Sequence, residues 1–303
     1  MKDEIKSRIL RLKEQKNAVI LAHYYAPKEA QAIADFVGDS FYLAKVAKGS
    51  DADVIVFCGV GFMGESAKLL NPEKKVLMPD PSADCPMAHM VAPGKIVEMR
   101  QKYEDLAVVC YINSTAELKS QSDVCVTSSN AVRIVRNLPN KNIFFIPDRN
   151  LGRYVASLVP EKNVILNDGF CPIHAKIGAE SVKAEKALHP AALTLAHPEC
   201  EKEVLALSDF VGSTADILAY VEESTAKEFI VCTEEGVSFP LAEGSPDKHF
   251  YFPAPLPCCT DMKRNTPEGI LHVLETEEGE ITVKAELCRD ALPPLERMLE
   301  LAR

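Results

Sequence analysis

LTLAHPE, residues 193–199, is a short apolar run that ends in a histidine and a carboxylate, and the chain carries the same design twice more, in VILAHYY (19–25) and VVCYINS (108–114). With His23, Tyr111 and His197 as anchors, the copies are spaced 88 and 86 residues apart. Two residues beyond the anchors stand Tyr25, Asn113 and Glu199. Twelve beyond stand Asp35, Asp123 and Asp209, and seventeen beyond stand Ser40, Ser128 and Thr214. Val76, Val164 and Phe250 share an offset of 53. Cys85, Cys171 and Cys259 then follow at 62, 60 and 62. Agreement at five offsets in three copies is an internal repeat, and a repeat decides the fold before any local reading does.

Each copy alternates short Val/Ile/Phe-rich runs with helical patterns such as SFYLAKVAKG, NAVRIVRNL and TADILAYVEE. Runs of this length and composition read as buried parallel strands. The helical patterns begin at Ser, Asn or Thr, which are good N-cap types. The expectation is an α/β protein of three homologous three-layer α/β/α modules, at 18–104, 105–190 and 191–276, with parallel sheets around a pseudo-threefold axis. The flanks, 1–17 and 277–303, read as a helix and a tail that pack on the modules. GVGFMGES (59–66) is glycine-rich but lacks a phosphate-loop Lys-Ser/Thr pair, so it reads as a strand-to-helix turn.

Bulk composition narrows the function. The 303 residues carry a net charge of −10 and no strong basic cluster, which argues against a nucleic-acid surface. No stretch approaches the ~18 apolar residues of a membrane span. The N-terminus lacks the apolar core of a signal peptide, so a cytoplasmic location is expected. Ten cysteines in that compartment are core residues, metal ligands or catalytic groups rather than a disulfide framework.

In parallel α/β sheets, ligands bind beyond the carboxyl ends of the strands. The anchors, the residues two beyond them, the Ser/Thr positions and the repeated cysteines all follow strand-like runs. Cys85, Cys171 and Cys259 are a soft ligand set that suits zinc or an iron–sulfur cluster. Three thiolates without a CxxC pair fit a four-iron cluster with one open iron better than structural zinc. Cys58 and Cys232 share an offset, but Ile146 stands there in the middle copy, so that pair reads as core. Cys110, Cys125, Cys200 and Cys288 lack threefold counterparts and also read as core. Cys258 leaves a one-residue slip in the third copy open. His23, Tyr111 and His197 suit recognition of carboxylate and carbonyl oxygens. Ser40, Ser128 and Thr214, with Ser213 beside the last, suit anion binding at helix starts. Tyr25 and Glu199 form a natural acid/base pair, and Asn113 a binder. Asp35, Asp123 and Asp209 are equally readable as turn residues.

The motifs ILAHYYAPKEAQAIADFVGDS, DPSADCPMA, YINSTAELK, VTSSNA, PDRNLG, GFCPIHA, HPEC, DFVGST and MKRNTPEGILH resemble the iron–sulfur-dependent, type A quinolinate synthase family, along essentially the whole chain. That resemblance implies one [4Fe–4S] cluster held by Cys85, Cys171 and Cys259, with its open iron as Lewis acid. It implies condensation of iminoaspartate with dihydroxyacetone phosphate to quinolinate, releasing phosphate and two waters, in NAD biosynthesis. L-aspartate oxidase would supply the iminoaspartate. His23, Ser40, Tyr111, Asn113, Ser128, His197, Ser213 and Thr214 would line the site, and Tyr25, Glu199 and His23 would take catalytic parts. The first copy reads AHYY where the family more often has His-Asn-Tyr, which leaves Tyr25 as the functional tyrosine. Two other readings remain: a radical iron–sulfur enzyme like that of diphthamide synthesis, and a non-enzymatic iron–sulfur redox protein.

Overall fold

The repeat forms one four-stranded parallel sheet per copy in a computed structural model that describes residues 2–302. The first sheet contains β1 (Ala18–His23), β2 (Phe36–Gly38), β3 (Val54–Cys58) and β4 (Lys75–Leu77), in the order β2-β1-β3-β4. The second contains β5 (Leu106–Tyr111), β6 (Val124–Val126), β7 (Asn142–Ile146) and β8 (Asn163–Leu166), in the order β6-β5-β7-β8. The third contains β9 (Leu193–Ala196), β10 (Phe210–Val211), β11 (Glu228–Cys232) and β12 (His249–Tyr251), in the order β10-β9-β11-β12. The chain is therefore α/β, with helices between successive strands.

Strand registers repeat as the sequence does. Val76 pairs with Ile55, Val164 with Ile143 and Phe250 with Phe229. Likewise Ala22 pairs with Cys58, Cys110 with Ile146 and Ala196 with Cys232. The Cys/Ile/Cys position is thus the last ladder pair of each sheet centre, buried in all three copies. In this strand order the winding direction reverses between the first and third strands of each sheet. Such a switch point opens a crevice at the carboxyl ends. His23 and Tyr111 end β1 and β5, and His197 directly follows β9, so all three anchors stand at switch points.

Two of the recurring aspartates are structural. The Asp35 N–H donates to Ile20 O at 2.8 Å, and its carboxylate accepts from Ile20 N–H at 2.9 Å. Asp209 and Thr194 exchange the same pair, both at 2.8 Å. Each aspartate extends a strand ladder by one rung, with its side chain standing in for a carbonyl. Asn130 is the N-cap of helix Ala131–Asn137 as the sequence implies, but the other two helix starts lie one residue earlier. Asp39, not Ser40, caps helix Ser40–Gly49, and Ser213, not Thr214, caps helix Thr214–Glu223.

The chain divides into two compact units. One comprises Met1–His89, Ile112–Val126 and Thr260–Arg303; the other comprises Met90–Tyr111 and Thr127–Cys259. In the first, helices Lys2–Gln15 and Pro267–Thr276 pack on the first sheet around Ile9, Ile20, Val56, Leu77, Ile270 and Leu274. In the second, Leu195, Ile217, Phe229 and Val231 anchor one cluster, and Val182, Ile230 and Cys232 another.

The C-terminal flank is not a tail. Its start seals an edge: Met78 N–H donates to Gly279 O, Ile281 N–H to Val76 O, and Leu77 bridges Glu280 antiparallel beside β4. Gly279 has φ +78°, and a Cβ there would meet Met78 O at 2.7 Å, so only glycine fits. Residues Ala285–Leu301 then form a helix despite Pro293 and Pro294. The two prolines conceal it in the sequence, because proline interrupts helix hydrogen bonds. Ala291, Pro294, Leu295 and Met298 form a buried stripe at helical spacing, packed on helices Gly61–Leu70 and Ala116–Ser120 and on β6. No described helix is long and apolar enough to cross a membrane.

The stripe sets a stability expectation. Leu295→Ala, at a fully buried position, should lower unfolding free energy by about 2–5 kcal/mol in urea titrations. Leu188→Ala, at a 70% exposed position, should change it by less than about 0.5 kcal/mol. Equal effects would mean that the helix is not part of the folded core.

Candidate active site

The switch-point histidines are set by their own chain. Tyr25 N–H donates to His23 Nδ1 at 3.1 Å, and Glu199 N–H donates to His197 Nδ1 at 3.3 Å. With Nδ1 accepting, a neutral His23 ring carries its proton on Nε2, whereas His197 Nδ1 also faces the Glu199 carboxylate. Both rings are buried, at 5% and 3% exposure, because they finish strands covered on both faces. Tyr25 packs edge-on to His23, with ring centroids 4.6 Å apart. Its carbonyl accepts from Lys263 Nζ at 2.9 Å, a contact the sequence reading missed. Asn113 presents a buried Oδ1 that has no hydrogen-bond partner among the described residues. An unsatisfied buried acceptor is costly, so this oxygen is suited to a ligand's donor.

Glu199 is the most constrained group. It is buried, and Oε2 lies 2.8 Å from His174 Nδ1 and 3.4 Å from His197 Nδ1. Burial pushes its pKa up, but His174, His197 and the Tyr111 hydroxyl outweigh that and bring it down to about 2. Two imidazoles and a phenol therefore keep a desolvated carboxylate ionised. The His174 and His197 rings stack obliquely at 4.8 Å. His174 also faces Thr233 Oγ1 at 2.9 Å through Nε2 and Cys171 Sγ at 3.2 Å through Nδ1. Cys171, His174 and Glu199 form a group whose ligand atoms all lie within 4.8 Å of one another. His174 escaped the sequence reading because it lies outside the repeat; its only signal was its place three residues after Cys171.

The three repeated cysteines share a main-chain frame. In each copy, the first N–H of the turn after the third strand donates to the carbonyl two residues before the cysteine. The pairs are Gly61 to Ala83 at 2.9 Å, Arg149 to Gly169 at 2.8 Å and Glu235 to Pro257 at 2.8 Å. This bond makes Cys259, not Cys258, the counterpart of Cys171. Carboxylates add to it: Cys171 N–H donates to Asp148 at 3.1 Å, Cys259 N–H to Glu234 at 2.9 Å, and Cys85 N–H to the adjacent Asp84 at 2.8 Å. Asp148 is pushed well above the ordinary carboxylate range by burial and by Glu199.

Burial separates these cysteines from five of the others, though Cys258 and Cys288 are half-buried as well. Cys85, Cys171 and Cys259 are half-buried, whereas Cys58, Cys110, Cys125, Cys200 and Cys232 are buried. Burial pushes the Cys58 and Cys232 thiols up to about 12, so they stay protonated. Cys288 is half-buried rather than core, with Sγ 3.5 Å from Val283 O. Thiols on fixed loops at strand ends, open to a ligand, fit the donor set that a metal cluster needs.

The hydroxyl positions divide. Ser213 is fully buried, and its Oγ donates to Asp216 Oδ2 at 2.6 Å while accepting from Asp216 N–H at 3.2 Å in a capping box. That hydroxyl is committed to the helix start. Ser40 and Thr214 open the first turns of their helices, and Ser128 follows β6 in a half-buried turn.

Two measurements follow. In the metal-free chain, alkylation near pH 8 should mark Cys85, Cys171 and Cys259 well before Cys58 and Cys232, because only accessible thiolates react. A uniform pattern would contradict the burial difference. Glu199, with its folded pKa lowered to about 2 from 4.5, stabilises the fold above pH 4.5 and loses that contribution as pH falls toward 2. On acidification from about pH 5 to 3, wild type should therefore lose more stability in urea titrations than Glu199→Gln. Equal losses would mean that the carboxylate is not held ionised.

The sequence profile of the quinolinate synthetase A protein family matches residues 7–300. A quinolinate synthase of Caldicellulosiruptor saccharolyticus is 51% identical over 300 residues, covering 99% of each chain. Another, from Fusobacterium nucleatum, is 52% identical over 298 residues, covering 98% of this chain and 99% of its own. A third, from Aquifex aeolicus, is 46% identical over 305 residues, covering 99% and 94%. Matches of this extent, over a fold and strand-end residues that repeat in triplicate, leave one conclusion: the chain belongs to the quinolinate synthase family of enzymes.

Proposed function

We propose that this chain makes quinolinate for NAD biosynthesis by condensing iminoaspartate with dihydroxyacetone phosphate, with release of phosphate and two waters. The observation that carries this reading is the buried Glu199 held by His174, His197 and Tyr111 beside Cys171, in a chain of this family. In this reading Cys85, Cys171 and Cys259, one from each module of the pseudo-threefold repeat, hold a [4Fe–4S] cluster. When bound, that group supplies a Lewis-acidic iron able to polarise a substrate oxygen. The labile imine would come from an amino-acid oxidase, L-aspartate oxidase, in the same cytoplasm.

The chain's own groups divide the remaining work. Binding falls to His23, with Nε2–H as the donor set by its backbone contact, and to His197, Tyr111 and Asn113. The hydroxyls of Ser40, Ser128 and Thr214, near helix starts, take phosphate and carboxylate oxygens. Such local donors are required because a net charge of −10 repels anionic substrates at a distance. Ser213 supports Thr214 from the capping box rather than by direct contact. Glu199 is ionised at neutral pH, so Oε2 acts as a base that draws a proton from a carbon or nitrogen acid. His174 Nδ1, 2.8 Å away, stabilises the charge of Glu199 and carries the proton onward. The Tyr25 phenol, packed on His23, acts as the complementary acid during cyclisation.

Cys171→Ser should lose both iron and turnover, whereas Glu199→Gln should keep iron content and lower kcat by about 10²–10⁴-fold. Quinolinate formation and iron per chain check both variants. Turnover by a cluster-free protein would sink the reading, and iron loss in Glu199→Gln would make that residue structural.

A further inference from the structure

The cysteine loops are not held alike. Thirty-seven residues beyond the anchors stand Val60, Asp148 and Glu234, directly before the turn residues of the shared backbone bond. Asp148 and Glu234 are buried, at 0% and 1% exposure. Each carboxylate divides its two oxygens between two loops. Asp148 Oδ1 accepts from Leu151 N–H at 2.6 Å, and Oδ2 accepts from Cys171 N–H at 3.1 Å. Glu234 Oε2 accepts from Gly236 N–H at 2.7 Å, and Oε1 accepts from Cys259 N–H at 2.9 Å.

Side-chain length differs between the two, and so does the local turn. Asp148 caps helix Arg149–Leu158 three residues on, and Glu234 caps a 3-10 turn two residues on. Their shared endpoint is the N–H of the repeated cysteine. A carboxyl group this buried is tolerated only when its oxygens are satisfied, and each of these oxygens has an N–H donor. In the first copy Val60 has no acceptor. Asp84 takes the Cys85 N–H from within the same loop and pairs with the His89 ring at 2.7 Å, both side chains more than half exposed.

We propose that Asp148 and Glu234 are positioning residues that fix the Cys171 and Cys259 loops for the metal group, each latching a cysteine N–H to the end of the neighbouring strand. The inference rests on the reading of those cysteines as cluster ligands. In the Cys85 loop the Gly61–Ala83 backbone bond and the loop's own Asp84 take these places.

Asp148→Asn and Glu234→Gln isolate the latch. An amide has one acceptor oxygen, which stays with the shorter bond to Leu151 or Gly236, and its NH2 then faces the cysteine N–H. The turn cap survives and the latch is lost, so the folded chain is retained. Wild type and both variants, prepared anaerobically and reconstituted with iron and sulfide, would be challenged with an iron chelator. Both variants should release iron about 10–100-fold faster, the range seen when groups supporting metal ligands are removed. The metal-free chains provide an independent readout by peptide-resolved thiol alkylation. Cys171 should react several-fold faster in Asp148→Asn only, and Cys259 in Glu234→Gln only, with Cys85 unchanged in both. A merely structural role would lower the melting temperature without this crossed pattern. Wild-type alkylation rates at both cysteines overturn the latch. Wild type that takes up no iron overturns the cluster reading instead, and the alkylation arm still decides the latch.

Discussion

One hydrogen bond, made three times, fixes the parts of this protein that matter most. The N–H after each third strand donates to the carbonyl two residues before a repeated cysteine, at 2.8–2.9 Å in every copy. Without it, the loop after each fourth strand would be an ordinary surface connection with the mobility such loops have. With it, a flexible segment is tied to the rigid end of a parallel sheet, and a thiol gains a defined position. Buried carboxylates reinforce the tie in the second and third copies, and the first manages with an exposed one.

The same economy runs through the sheets. A strand order that reverses at its centre puts the ends of β1, β5 and β9 beside a crevice, so a short polar sequence after each strand arrives at a binding position without further design. His23 and His197 are then oriented by the chain's own N–H two residues on. The duplicated backbone geometry has been filled with different side chains at the same offset, Tyr25, Asn113 and Glu199. Divergence of this kind gives a repeated scaffold chemically distinct groups, a phenol, an amide and a carboxylate, at equivalent strand ends.

Electrostatics explains the composition of the second unit's site. A carboxylate removed from water is unfavourable unless charged or donating neighbours face it. Glu199 has three such neighbours, and their combined effect exceeds burial. Asp148 lies nearby with its pKa moved the other way, by burial and by Glu199 itself. Two carboxyl groups in one region are thus driven apart in acidity, a pattern that separates an ionised carboxylate from a carboxyl that serves as a hydrogen-bond acceptor for the chain.

The repeat, its period and the strand ends were legible in the sequence, because strand burial and cysteine placement leave patterns at fixed offsets. The strand pairing of Val76, Val164 and Phe250 follows directly from them. Asp35 and Asp209 were visible as recurrent, but their ladder role needed the neighbouring strand. The terminal helix was hidden by Pro293 and Pro294, whose local preference yields to a buried stripe that only packing reveals. His174, Thr233, Asp148, Glu234 and Lys263 were missed for one physical reason. Their contacts join residues far apart in the chain or outside the repeat, and no local pattern records which side chain a distant strand end will face. The sequence determined where each strand would end and which chemistry would stand there; tertiary structure decided which of those groups are ionised, capped or open, since that depends on neighbours brought together only by folding.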